Sequence, residues 1–97
     1  GRYNVNADHA AGAIAGAVRA RKAVFVSNVP GVRIGDGVAG RLTDAEVREL
    51  IEAGVIHGGM IPKVNAALDA LARGAQSAVI TDLPGLRAGA GTTIVLQ

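Results

Sequence analysis

Short apolar runs alternate along this chain with segments that carry the punctuation of helices, and that alternation restricts the fold more than any other feature. Ala23 to Ser27 (Ala-Val-Phe-Val-Ser) is a continuous apolar run, the pattern of a strand buried on both faces. Asn28-Val29-Pro30-Gly31 then breaks it with turn chemistry. Ser77 to Thr81 and Thr92 to Leu96 read as two further strands. The helices fall between these runs. Ala10, Ala11, Ile14, Ala17 and Val18 recur at helical spacing and predict a helix from near Ala7 to Arg21, with Asn6 or Asp8 available at its start. Gly12 and Gly16, one turn apart on it, would let a sheet or a second helix approach closely. Thr43-Asp44-Ala45-Glu46 is a capping box, followed by an apolar stripe of Val47, Leu50 and Ile51 and a terminal Gly54. A third helix has Pro62 near its first position, buries Val64, Ala67, Leu68 and Leu71, and ends at Gly74. Strands alternating with helices imply an α/β layer architecture with right-handed crossovers. Three strands are few for such a sheet, so an unfinished edge or face that another segment covers is expected. The glycine-rich stretch from Arg33 to Gly40 reads as an exposed loop or loose hairpin, and Leu83 to Gly91 as a glycine-rich connection.

With 97 residues the chain makes one domain, large enough for its own core. Tyr3 and Phe25 are the only aromatics, so the core must be built from Ala, Val, Ile and Leu. Aromatic stacking platforms for single-stranded nucleic acid are therefore missing, and a net charge of +2 gives no basic surface. Arg19, Arg21 and Lys22 read as the dipole-complementing end of the first helix rather than a nucleic-acid patch. Without cysteine there are no disulfides or thiolate metal sites, which fits a cytoplasmic protein. No apolar run reaches membrane-spanning length. The chain opens Gly1-Arg2-Tyr3-Asn4 without an initiator methionine, which predicts a piece of a longer protein.

The chemistry concentrates in Gly58-Gly59-Met60-Ile61-Pro62-Lys63, a glycine pair opening onto the third helix with a lysine in its first turn. A cation there opposes the helix macrodipole, at a cost of about 0.3–1 kcal/mol. The placement becomes favourable if an anion, phosphate above all, docks on the N–H groups of the glycine turn beside the ammonium. An exposed lysine that merely falls in a first turn explains the segment equally well. Asp8 is the second candidate, although an acidic residue in a first helical turn is also favoured structurally. Asn4 and Asn6 precede it at alternate positions, so an extended segment would turn both amides to one side. They can hold a polar ligand or serve as caps. In open α/β sheets ligands gather at the carboxyl ends of the strands, which allows one site containing Asp8 and Lys63. His9 reads as lining a helix face. His57, beside the glycine pair, would touch a nucleotide through its backbone. The two share no metal-ligand spacing.

Tyr3-Asn4-Val5-Asn6-Ala7-Asp8, Val26-Ser27-Asn28-Val29-Pro30-Gly31-Val32, Leu42-Thr43, Gly58-Gly59-Met60-Ile61-Pro62-Lys63-Val64-Asn65-Ala66-Ala67 and Gly91-Thr92-Thr93-Ile94 follow one another in an order and spacing that resemble the C-terminal half of the acetylglutamate kinases, within the amino-acid kinase family. The resemblance spans essentially the whole chain. It implies a three-layer sandwich of the amino-acid (carbamate) kinase type, a mostly parallel sheet with helices on both faces, incomplete in this chain. Residues 1–97 would be the ATP-binding lobe, with the N-terminal substrate lobe absent. It further implies a cytoplasmic, homo-oligomeric enzyme of arginine biosynthesis that uses ATP and Mg²⁺ to phosphorylate the side-chain carboxylate of N-acetyl-L-glutamate. Carried onto this sequence, Asn4 and Asn6 would bind acetylglutamate, Asp8 would orient the catalytic lysines, and Lys63 would stabilise the transferring phosphoryl. Ser27, Asn28, Gly31, Val32, Arg33, His57, Gly58, Gly59 and Met60 would border the ATP. This accords with what phosphoryl transfer requires, positioned positive charge and backbone donors.

Asn28 departs from the family's usual aspartate and is similar to the related kinase of lysine biosynthesis, which acts on carrier-linked aminoadipate. The connection from Asp82 to Gly91 also looks shorter than the family's helix-bearing segment. Against a kinase lobe stand a non-catalytic nucleotide-binding module and a purely structural α/β module.

Overall fold

The computed structural model describes the backbone of residues 3–6 and, in full, residues 22–97. The helix expected over 7–21, and with it Asp8, His9, Gly12 and Gly16, lies outside the described residues. In chain order the elements are β1 (Tyr3–Asn6), β2 (Lys22–Val26), β3 (Arg33–Ile34), β4 (Gly37–Val38), β5 (Arg41–Thr43), α1 (Asp44–Glu52), α2 (Met60–Ala72), β6 (Ser77–Thr81), α3 (Leu83–Ala88) and β7 (Thr92–Val95). Five strands form one sheet in the order β1-β2-β6-β7-β5, while β3 and β4 make a separate antiparallel hairpin. β1, β2 and β6 are mutually parallel, with Val24 in register between Val5 and Val79. β7 runs against β6 and is parallel to β5, pairing Ile94 with both Ala78 and Leu42.

The sheet is larger than the three strands expected. Tyr3–Asn6 is not merely extended but a paired edge strand, and Arg41–Thr43 forms the opposite edge beside β7. Lys22, expected to finish a helix, is instead the exposed first residue of β2, between Tyr3 and Ser77. The ladder fixes it there. The stretch expected to be a connection after Thr81 carries a one-and-a-half-turn helix, α3, because Asp82 Oδ1 accepts the Gly85 N–H at 2.7 Å and Gly89 ends it with φ 71°. Both loop-or-hairpin alternatives for 33–40 resolve to the hairpin, with Arg33 opposite Val38.

Side-chain alternation divides the sheet into two buried faces. Ala23 and Phe25 of β2, Ala78 and Ile80 of β6 and Ile94 of β7 join Val64, Ala67, Ala70 and Leu71 of α2 in one core. Val24 and Val79, at the intervening positions, are buried outside that cluster, on the other face. Burial on both faces is what the unbroken apolar runs demand. Two alanines in the contact face of α2 let its backbone lie close to the strands, the packing that an aliphatic core with a single phenylalanine permits.

Helix α1 starts as its letters require. Thr43 Oγ1 accepts the Glu46 N–H at 3.1 Å and Glu46 Oε1 accepts the Thr43 N–H at 2.9 Å, a reciprocal capping box. Arg48 reaches back to Asp44 at 3.0 Å. After α2, Gly74 turns the chain with φ 113°, and only residues 73–76 separate the helix from β6. So short a link forces α2 to run antiparallel to β6. Its N-terminus therefore lies at the end of the sheet where β1, β2 and β6 finish. No helix among the described residues is long and apolar enough to cross a membrane.

Candidate functional site

Two loops and a helix mouth meet at that end of the sheet. The first loop leaves β2. Ser27 N–H still donates to the Thr81 carbonyl at 2.8 Å, so the strand ladder continues one residue further. The Ser27 hydroxyl then accepts the Val29 N–H at 3.2 Å and bends the chain outward, leaving Asn28 and Pro30 exposed. Gly31 brings the loop back under the surface. A Cβ there would stand 2.6 Å from Thr92 Oγ1 and 2.7 Å from Val38 Cγ1, so any other residue would have to displace them.

Val32 is fully buried, and its N–H donates to Thr92 Oγ1 at 2.9 Å. Its carbonyl accepts from the Ala39 N–H at 2.9 Å, which closes the base of the β3–β4 hairpin. Both backbone groups of Val32 are thus engaged inside the protein, while Arg33 starts the hairpin exposed.

The second loop follows α1. Val55 and Ile56 both donate to the Leu50 carbonyl, and Ile56 anchors the segment in the core. His57 and the glycine pair are exposed, with Gly58 at φ 58°. At the mouth of α2 the Met60 N–H donates to the His57 carbonyl at 3.3 Å and the Ile61 N–H to the Gly58 carbonyl at 3.2 Å. Pro62 has no N–H, and the N-cap, Gly59, has no side chain to cap with. No described residue hydrogen-bonds the N–H of Gly58 or Gly59. The half-buried Lys63 folds back so that its Nζ donates to the Gly59 carbonyl at 3.4 Å. The Lys63 ammonium, the positive end of the helix dipole and two backbone N–H groups without a partner among the described residues thus lie within the first turn of α2 and the turn before it, a set of groups that suits a phosphate.

The third contributor is β1. Its register puts Asn4 beside Ala23 and Asn6 beside Phe25, the latter one residue short of the carboxyl end of β2. Asn6, the Ser27–Val32 loop, the glycine pair, Met60 and Lys63 thus gather at one end of the sheet. Asp8 lies outside the described residues.

The described residues contain no group of three His, Cys, Asp or Glu side chains able to hold a metal. Asp82, the carboxylate that follows β6, spends Oδ1 on capping α3, and Asn28 is a neutral amide. With these described residues a Mg²⁺ ion, which keeps several waters and needs few protein ligands, would fit as a companion of nucleotide phosphates. The residue that sequence reasoning passed over is Thr92. It stands within the Gly91-Thr92-Thr93-Ile94 motif, but its partners are 60 and 53 residues away, a separation that no local pattern reveals.

Residues 1–82 match the Amino acid kinase family. The chain is 55% identical over 97 residues to the acetylglutamate kinase of Roseiflexus sp. strain RS-1, covering all of this chain and 37% of that protein. It thus spans little more than a third of that relative's length. Among solved structures it resembles smu.665 from Streptococcus mutans UA159, with a TM-score of 0.80 and 34% identity over 93% of this chain and 35% of that one. The carbamate kinase of Giardia shares the fold at a TM-score of 0.76 and 21% identity, over 89% of this chain and 32% of that one. The α/β architecture, a mostly parallel sheet flanked by helices, is therefore that of the carbamate and amino-acid kinases.

Proposed function

Because the chain belongs to the amino acid kinase family, we propose that it is the C-terminal, ATP-binding lobe of an acetylglutamate kinase whose substrate lobe lies in sequence outside these residues. The reaction is transfer of the γ-phosphoryl group of ATP to the side-chain carboxylate of N-acetyl-L-glutamate. A carboxylate oxygen forms a bond to the γ-phosphorus, the bond from that phosphorus to the bridging oxygen breaks, and ADP departs with its electron pair. An acyl phosphate remains. One observation carries this reading: Lys63 Nζ held at 3.4 Å over the Gly59 carbonyl, beside the unengaged Gly58 and Gly59 N–H groups, at the carboxyl end of β6.

Charge that develops on the transferring phosphoryl is met there by donors already in place, so little reorganisation is needed as the reaction proceeds. The Ser27–Arg33 loop borders the nucleotide through Ser27, Asn28, Gly31 and Arg33. Val32, buried and internally bonded, holds the loop's course. His57 and Met60 flank the phosphates. Held by the nucleotide phosphates, Mg²⁺ would supply neutralisation of their charge. Asn4 and Asn6 bind acetylglutamate, and Asp8 keeps the lysines charged and aimed. On this reading the enzyme is a cytoplasmic homo-oligomer of arginine biosynthesis.

The test is Lys63→Ala in the full-length protein, assayed for acyl phosphate formation. Turnover should fall by about two orders of magnitude or more, the effect of losing one transition-state electrostatic contact. Near-normal turnover would rule the assignment out. The same assay run with carrier-linked aminoadipate distinguishes the acceptors, a comparison that Asn28 makes worthwhile because aspartate is usual at that position.

A further inference from the structure

We propose that Thr92 is a positioning residue for nucleotide binding, acting through the Ser27–Val32 loop without touching the nucleotide itself. The inference rests on the reading of that loop as part of the ATP site. It concerns a residue beyond 1–82, the segment that matches the family. Three observations support it. The Thr92 side chain is fully buried, and its one hydroxyl both accepts the Val32 N–H at 2.9 Å and donates to the Ala39 carbonyl at 2.6 Å. Those two residues are the ends of the β3–β4 hairpin segment, joined to each other by the Ala39 N–H to Val32 carbonyl bond. Gly31, immediately before the clamp, passes so close that a Cβ would stand 2.6 Å from the same hydroxyl oxygen.

The position of one oxygen atom therefore sets where the loop re-enters the protein, and with it where Ser27 to Gly31 present themselves outside. That oxygen is itself fixed from below. β7 holds Thr92 opposite Ile80, and Gly91, at φ 128°, lies so near β6 that a Cβ would be 2.7 Å from the Ile80 carbonyl. The last strand thus transmits its register to the loop through a single buried hydroxyl. Without it, the buried Val32 N–H and the part-buried Ala39 carbonyl lose their shared partner, and the loop must shift for the N–H to reach water.

Thr92→Val keeps the shape and removes the hydroxyl; Thr92→Ser keeps the hydroxyl and removes a methyl group. In the full-length protein, Thr92→Val should raise the Kd for ADP and the KM for ATP about ten-fold, as expected from unpairing a buried donor, while kcat changes much less. Thr92→Ser should restore both constants to near the parent values. A purely structural role would lower the amount of active enzyme and leave KM alone. Folded Thr92→Val with unchanged KM and Kd would overturn the proposal, as would Thr92→Ser behaving like valine. Should Thr92→Val fail to fold, amide exchange in the parent protein decides. The Val32 N–H must be as protected without nucleotide as the β6 amides, and rapid exchange there would refute the clamp. Failure of the parent protein to bind ADP would instead sink the nucleotide reading, and Lys63→Ala identifies that case separately.

Discussion

Replacing Gly31 with alanine puts the packing of the loop to a quantitative test. The added Cβ would lie 2.6 Å from Thr92 Oγ1, short of an ordinary 3.4 Å contact by about 0.8 Å. Its second neighbour, Val38 Cγ1 at 2.7 Å, belongs to a partly exposed side chain that can swing aside. The hydroxyl cannot yield in the same way, since it is bonded at 2.9 Å to the Val32 N–H and at 2.6 Å to the Ala39 carbonyl. Backing away by that amount stretches the first bond beyond hydrogen-bonding range. The cost is then that of overpacking or of one lost buried hydrogen bond, each about 1–3 kcal/mol.

Urea unfolding of the full-length Gly31→Ala protein should show a loss of about 2 kcal/mol. A double-mutant cycle locates the cause. In a Thr92→Ala background the obstructing oxygen is gone, so the Gly31→Ala cost should shrink by about 1 kcal/mol. An equal cost in both backgrounds, or none in the parent, would refute the close-approach reasoning.

Other consequences follow from single contacts. Thr43→Ala removes the acceptor for the Glu46 N–H and half of the capping box, and should lower stability by about 1 kcal/mol in chemical denaturation. Phe25→Ala empties the largest fully buried side chain among the described residues and should cost about 3–5 kcal/mol, lowering the melting temperature accordingly. The Gln97 N–H, bonded at 2.8 Å, and the Arg48 guanidinium hold the Asp44 carboxyl below its ordinary pKa. A lowered folded-state pKa stabilises the fold above the unfolded value near pH 4, and that contribution is lost as pH falls through the folded value. Titration by carboxyl NMR should therefore place Asp44 below free aspartate, and Asp44→Asn should flatten stability against pH on the acid side.

What could be read in advance was whatever short-range chemistry dictates. The Thr43 to Glu46 box, the Gly54 and Gly74 helix ends and the apolar runs that became β2 and β6 are each specified within a few residues. So is the glycine-lysine mouth of α2, since dipole, proline and ammonium are all local. β5 escaped notice because three residues with only Leu42 buried have no periodicity; pairing with Thr93–Val95 makes them a strand. The six residues of α3 are too few to be helical by propensity, and the signals at Asp82, Pro84 and Gly89 take effect only in place.

The letters alone thus determined the layer architecture and the family, because burial pattern, caps and turn chemistry act over one or two helical turns. Tertiary structure alone decided that β7 runs against β6, that β7 lies beside Arg41–Thr43, and that one threonine hydroxyl bonds a loop 60 residues away. Such partners meet only after the sheet has assembled, and a hydrogen bond between residues so distant leaves no trace in the order of the residues.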